Sequence, residues 1–134
     1  MANMNPVVHF EMAAENKRRM AEFYTKVFGW KTHELGPEMG NYIIAQTTET
    51  DENGMIQTKG AINGGFYQKL DDPNMNQPSI VIAVDDVHQS IEKIKSSGGK
   101  VLIEPMEIPG IGKYISFLDT EGNRVGVLQP AASM

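Results

Sequence analysis

With 134 residues, 40% of them hydrophobic, the chain can bury one core and is too short for two ordinary domains. A net charge of -5 and a pI near 5.1 exclude the concentrated basic face that a nucleic-acid partner needs, and the one basic run, Lys17-Arg18-Arg19, reads as a solvated helix face. The lack of cysteine excludes disulfides, thiolate metal sites and cysteine nucleophiles; with no leader-like segment and no stretch of membrane-spanning length, a cytoplasmic protein without a membrane partner is expected.

Residues 7–12 alternate in part, which puts Val8, Phe10 and Met12 on one face of a strand and Val7, His9 and Glu11 on the other. Asn16 can cap the helix that follows, where Met20, Phe23, Tyr24, Val27 and Phe28 recur at intervals of three and four and predict an apolar stripe. Gly29 predicts the end of that helix. Strands are predicted at 30–35, 42–48 and 57–67, the last interrupted by glycines, with an Asn53-Gly54 hairpin signal before it. Residues 68–77, QKLDDPNMNQ, carry the turn formers of a linker.

The same grammar then restarts. A strand at 79–84 leads to Asp85 or Asp86 as cap, a helix with Val87, Ile91 and Ile94 as its buried stripe, and a stop at Gly98-Gly99. Strands are predicted at 101–106, 113–118 and 124–129, the last two joined by DTEGN, where Gly122 suits a tight hairpin. At an offset of seventy positions His9 falls opposite Ser79, Glu22 opposite Glu92, Gly29 opposite Gly99 and Glu34 opposite Glu104. A repeat of this length cannot bury its apolar face alone. The two copies, residues 5–67 and 78–130 joined by the linker 68–77, therefore predict a single α+β domain of two tandem βαβββ modules.

This arrangement, with AEFYTKVFGW in the first helix and FLDTEGNRVGVLQP at the end, resembles the vicinal oxygen chelate superfamily of glyoxalase I, bleomycin-resistance proteins and extradiol dioxygenases over nearly the whole chain. The resemblance implies a curved, partly closed sheet around a cavity with the helices outside, a small organic ligand, and pairing into a homodimer. It implies chemistry only loosely, because one scaffold hosts unrelated reactions. Metal-using members take a histidine or carboxylate from the first strand of each module and a carboxylate from the last. His9 stands at the first of these positions, Ser79 at its counterpart and Gly126 at the terminal one, while 60–67, GAINGGFY, holds neither histidine nor carboxylate. With one ligand of four retained no cofactor is expected. His9 would be a ligand only if a metal were bound with displaced partners such as Glu11, Glu104 or Gln129.

His9 and Glu11, alternate residues on one strand face, form the candidate catalytic pair, since burial shifts the pKa of an imidazole and of a carboxylate. Glu11 is read as a general base and His9 as its acid partner; the competing reading has both satisfying cross-strand partners. Tyr42, Asn63, Gly64, Phe66, Ser79, Tyr114 and Gly126 are candidate ligand contacts. Their aromatic rings, with Trp30 and Tyr67, serve either a pocket or the core, and Gly64-Gly65 marks either a close ligand approach or a bulge. Residues 109–112, PGIG, read as a lid or as a plain hairpin turn. Three functions follow: a small-molecule binder of the glyoxalase and bleomycin-resistance type, with or without metal-independent catalysis; a metal-dependent lyase, isomerase or dioxygenase with displaced ligands; and a non-catalytic regulatory or interaction subunit. The small residues Ser79, Ala83, Gly64, Gly65 and Gly126 speak against the last by leaving space on the strands.

Overall fold

Residues 4–131, which the structure, a computed structural model, describes, form nine strands and two helices. The order is β1 (Val7–Ala14), α1 (Lys17–Phe28), β2 (Lys31–Glu34), β3 (Ile43–Gln46) and β4 (Asn63–Gln68), then β5 (Ser79–Ala83), α2 (Val87–Ser96), β6 (Lys100–Val101), β7 (Met106–Ile108), β8 (Gly112–Leu118) and β9 (Arg124–Pro130). Local chemistry sets the helix ends as expected. The Asn16 side chain accepts from the Arg19 amide, and Gly29, at φ 75°, closes α1 with its amide on the Thr25 carbonyl. In α2 the cap is Asp86, which accepts from the amides of His88 and Gln89, and Gly98 at φ 97° lets the chain turn away.

The chain makes two compact units. The first, His9–Pro78, has strand order β2-β3-β4-β1, with β1 and β4 parallel and the other neighbours antiparallel. Its core is Ala21, Ile43, Ala45 and Phe66, ringed by Phe10, Met12, Met20, Tyr24 and Trp30, and the Trp30 ring stacks on Tyr24 at 4.6 Å. The second unit comprises, among the described residues, 79–131 together with 4–8. It orders its strands β5-β9-β8-β6, with β7 hydrogen-bonded to β8, and packs Val87, Ile91 and Ile94 of α2 on Ile82, Ile115, Phe117 and Val127. Full burial of Phe66 in one unit and Ile115 in the other contributes about 1.5–3 kcal/mol each.

Three expectations change, and one open pair of readings is decided. The strand expected at 101–106 divides into β6 and β7, because Pro105 between them has no amide to give the ladder. The strand expected from 57 begins at Asn63, since residues 58–61 turn on an Ala61 amide to Thr58 carbonyl bond with Gly60 at φ 82°. In α1 the sheet side is Met20, Ala21 and Tyr24, and the rest of the expected stripe is outside: Phe23 and Val27 are 54% exposed and Phe28 61%. Residues 109–111 are the turn of the β7–β8 hairpin, closed by the Ile111 amide on the Ile108 carbonyl. No helix among the described residues is long and apolar enough to cross a membrane.

Candidate functional site

Alternation along β1 sends Phe10 and Met12 toward α1, so His9 and Glu11 stand on the opposite face of the first unit's sheet. The parallel register sets His9 beside Asn63 and Glu11 beside Gly65 on β4. Across β4, Ile44 of β3 faces Gly65, and Tyr42 lies two residues before Ile44. At Gly65 a Cβ would sit 1.9 Å from the Tyr42 hydroxyl oxygen and 2.1 Å from its Cζ, so only glycine lets the tyrosine lie across the strand. The hydroxyl thereby reaches both candidate catalytic groups. It stands 3.1 Å from His9 Nε2 and donates to Glu11 Oε2 at 3.2 Å. Burial pushes the His9 pKa below its ordinary 6.5, with the nearby Glu11 charge opposing in part.

The Gly64-Gly65 pair is neither a bulge nor open space. The β1–β4 register runs through both residues, and each is roofed by an aromatic ring on a different face: a Cβ at Gly64 would meet the Phe10 ring at 2.5 Å. Asn63 spends its carboxamide oxygen on the amides of Thr47 and Thr48, at 2.8 and 3.3 Å, holding the end of β3. Phe66 is fully buried in the core on the α1 side, apart from His9 and Glu11. Tyr67, which shares the face of Glu11, donates its hydroxyl to the Met75 carbonyl at 2.6 Å.

The second unit repeats the tyrosine device with different chemistry around it. Ser116 of β8 faces Gly126 of β9, Tyr114 lies two residues before Ser116, and a Cβ at Gly126 would come 2.7 Å from the Tyr114 hydroxyl. The places of His9 and Glu11 are taken by Ser79 and Val81. Val81 is buried, and the Ser79 hydroxyl is buried without a hydrogen-bond partner among the described residues. Gln129 is committed elsewhere: its side-chain oxygen accepts from the Val87 amide at the start of α2.

These residues do not fit the metal that the family resemblance implies. Among the described residues no three histidine, aspartate or glutamate side chains come together, and the donors in the first unit, His9 and Glu11, are both tied to one tyrosine hydroxyl. A zinc or harder cation takes three or more protein ligands. A separate cleft of about 410 Å3 opens between α1 and β2 on the helix side, lined by Arg18, Glu22, Lys26, Thr32 and Glu34. Arg18 and Glu34 already pair there at 3.0 Å with Arg18 81% exposed, and solvent screens an exposed pair of this kind. The joined titratable groups on the other face are the better candidate site. What residue order did not show is that Tyr42 bridges His9 and Glu11 and that Gly65 makes the bridge fit; a tyrosine set diagonally to a cross-strand glycine is the signal for both.

Comparison with known proteins agrees with this fold. Residues 7–127 match the Glyoxalase/Bleomycin resistance protein/Dioxygenase superfamily. The chain is 25% identical over 135 residues to the anthracycline biosynthesis protein DnrV of Streptomyces peucetius, covering 91% of this chain and 48% of that protein, so it spans about half the length of that curated relative. It is 29% identical to a glyoxylase-like domain-containing protein of Didymella fabae, with 84% of each covered. Streptomyces coelicolor methylmalonyl-CoA epimerase, solved in complex with 2-nitronate-propionyl-CoA, superposes with a TM-score of 0.68 over 97% of both chains at 19% identity, a likeness of fold.

Proposed function

The chain belongs to the glyoxalase/bleomycin resistance protein/dioxygenase superfamily, and from that premise we propose that it binds a small organic molecule on the face carrying His9, Glu11 and Tyr42 and moves a proton there without a metal. The hydrogen-bonded group His9, Tyr42 and Glu11 carries this reading. Two titratable side chains joined through a hydroxyl, on the sheet face turned from the core, are the parts that proton transfer requires. Two copies would equal the length of the longer relative, which supports a homodimer as the working assembly.

The test is a calorimetric panel of coenzyme A thioesters, chosen because the epimerase neighbour holds a coenzyme A derivative, run beside titrations with nickel, zinc and manganese. A thioester is expected to bind with an affinity that falls at least about tenfold, 1.4 kcal/mol, in Tyr42→Phe and in His9→Ala. Thioester binding indifferent to both substitutions removes the ligand from this face. Stoichiometric metal binding tighter than about micromolar, roughly 8 kcal/mol, and abolished by His9→Ala, replaces the reading with a metal-dependent one.

A further inference from the structure

Hydrogen-bond arithmetic assigns the roles within this group, resting on the functional reading above. Tyr42 has one hydroxyl proton, and an ionised carboxylate can only accept. The Tyr42 contact with Glu11 Oε2 therefore uses that proton, and the Tyr42 oxygen can meet His9 Nε2 at 3.1 Å only as an acceptor. The proton on a neutral His9 must then sit on Nε2. Its other ring nitrogen, Nδ1, keeps a lone pair and has no hydrogen-bond partner among the described residues.

We propose that His9 is the base of this site, accepting a proton at Nδ1, and that Tyr42, Glu11 and Gly65 are positioning residues that hold it in the required tautomer. This reverses the roles expected from sequence, where Glu11 was the base. In the step, the ligand's C–H or O–H bond breaks, its electron pair stays on the ligand, and the proton forms a new bond to Nδ1. The resulting imidazolium keeps its Nε2 proton on the Tyr42 oxygen, and the Tyr42 proton stays on Glu11, so the new positive charge faces a carboxylate through one hydroxyl. Returning the Nδ1 proton to the ligand restores the starting state. Depression of the His9 pKa by burial is consistent with this, because it keeps the ring neutral and able to accept near neutral pH. Gly65 acts at one remove: without it the Tyr42 ring cannot lie where its hydroxyl meets both partners.

The experiment is long-range nitrogen–proton NMR of the imidazole rings in the ligand-free full chain, at a pH where histidine is neutral. His33 and His88 are exposed and serve as internal controls for an unbiased tautomer mixture. His9 is expected wholly as the Nε2–H form. Tyr42→Phe, which keeps the ring, is expected to relax His9 to the mixture of His33 and His88, and Gly65→Ala to do the same. Glu11→Ala, which removes the acceptor of the Tyr42 proton, is expected to raise the Nδ1–H population. A wild-type His9 in the Nδ1–H form overturns the proposal, as does a bias unchanged by Tyr42→Phe in a variant with native-like spectral dispersion. Because no ligand is present, a negative result removes the assignment of the base and leaves ligand binding standing. A blank thioester panel does the converse.

Discussion

The two units solve the same packing problem and differ in what they place beside the solution. In each, a tyrosine lies diagonally over a glycine on the neighbouring strand, Tyr42 over Gly65 and Tyr114 over Gly126. Around Tyr42 stand His9 and Glu11; the matching places in the second unit hold Ser79 and buried Val81. The aromatic-on-glycine contact is thus a property of the scaffold, and the titratable pair an addition made in one copy. His9 and Glu11 on β1, against Ser79 and Val81 on β5, are what sets the first unit apart from the second.

The most damaging way to break this comparison is to give each glycine a methyl group. Gly65→Ala is expected to destabilise by about 1–3 kcal/mol, as overpacked sites do, because its Cβ would overlap the Tyr42 ring at 1.9–2.2 Å. Gly126→Ala, with its nearest contact at 2.7 Å, should cost less. Denaturant midpoints give the order, and a larger loss at Gly126 would contradict it. A smaller effect is the pH dependence that His9 gives the first unit. Burial lowers the folded-state pKa of His9 below about 6.5, so protonation favours the unfolded chain, and stability falls as pH drops below about 6.5 toward the folded value. His9→Gln should flatten that part of the stability curve, and an unchanged slope would mean that His9 is not the group responsible. The smallest effect is expected at the β8–β9 turn. There Asp119 accepts from the Asn123 and Glu121 amides and the Asn123 side chain, which hold its pKa low. That contribution is present above the ordinary aspartate range and lost as pH falls through the folded value. Asp119→Ala should lower the melting temperature slightly at neutral pH and not at all in strong acid.

Much of this architecture is legible in residue order because the signals are local. Asn16, Gly29, Asp86 and the Asn53-Gly54 turn act on neighbours within a few positions, and each does in the fold what its chemistry dictates. The shared face of His9 and Glu11 was also readable, from the two-residue period of a strand. Their bridge was not, since Tyr42 lies more than thirty positions away and arrives through the register of two other strands. The outer half of the α1 stripe misled for a related reason. Spacing gives the face of a helix, but the sheet beneath was already filled by Met20, Ala21, Tyr24 and the Trp30 ring. Residue order offers the two glycines as room for a ligand or as a bulge, because nothing nearby in sequence names the rings that cover them.

The stacking of Trp30 on Tyr24 has a spectroscopic consequence. It is the chain's only tryptophan and sits in the core of the first unit, so its emission reports melting of that unit and is blind to the α2 core. Fluorescence set against circular dichroism, which sees both helices, distinguishes joint unfolding from stepwise unfolding: coincident transitions belong to one cooperative body, and separated ones to two.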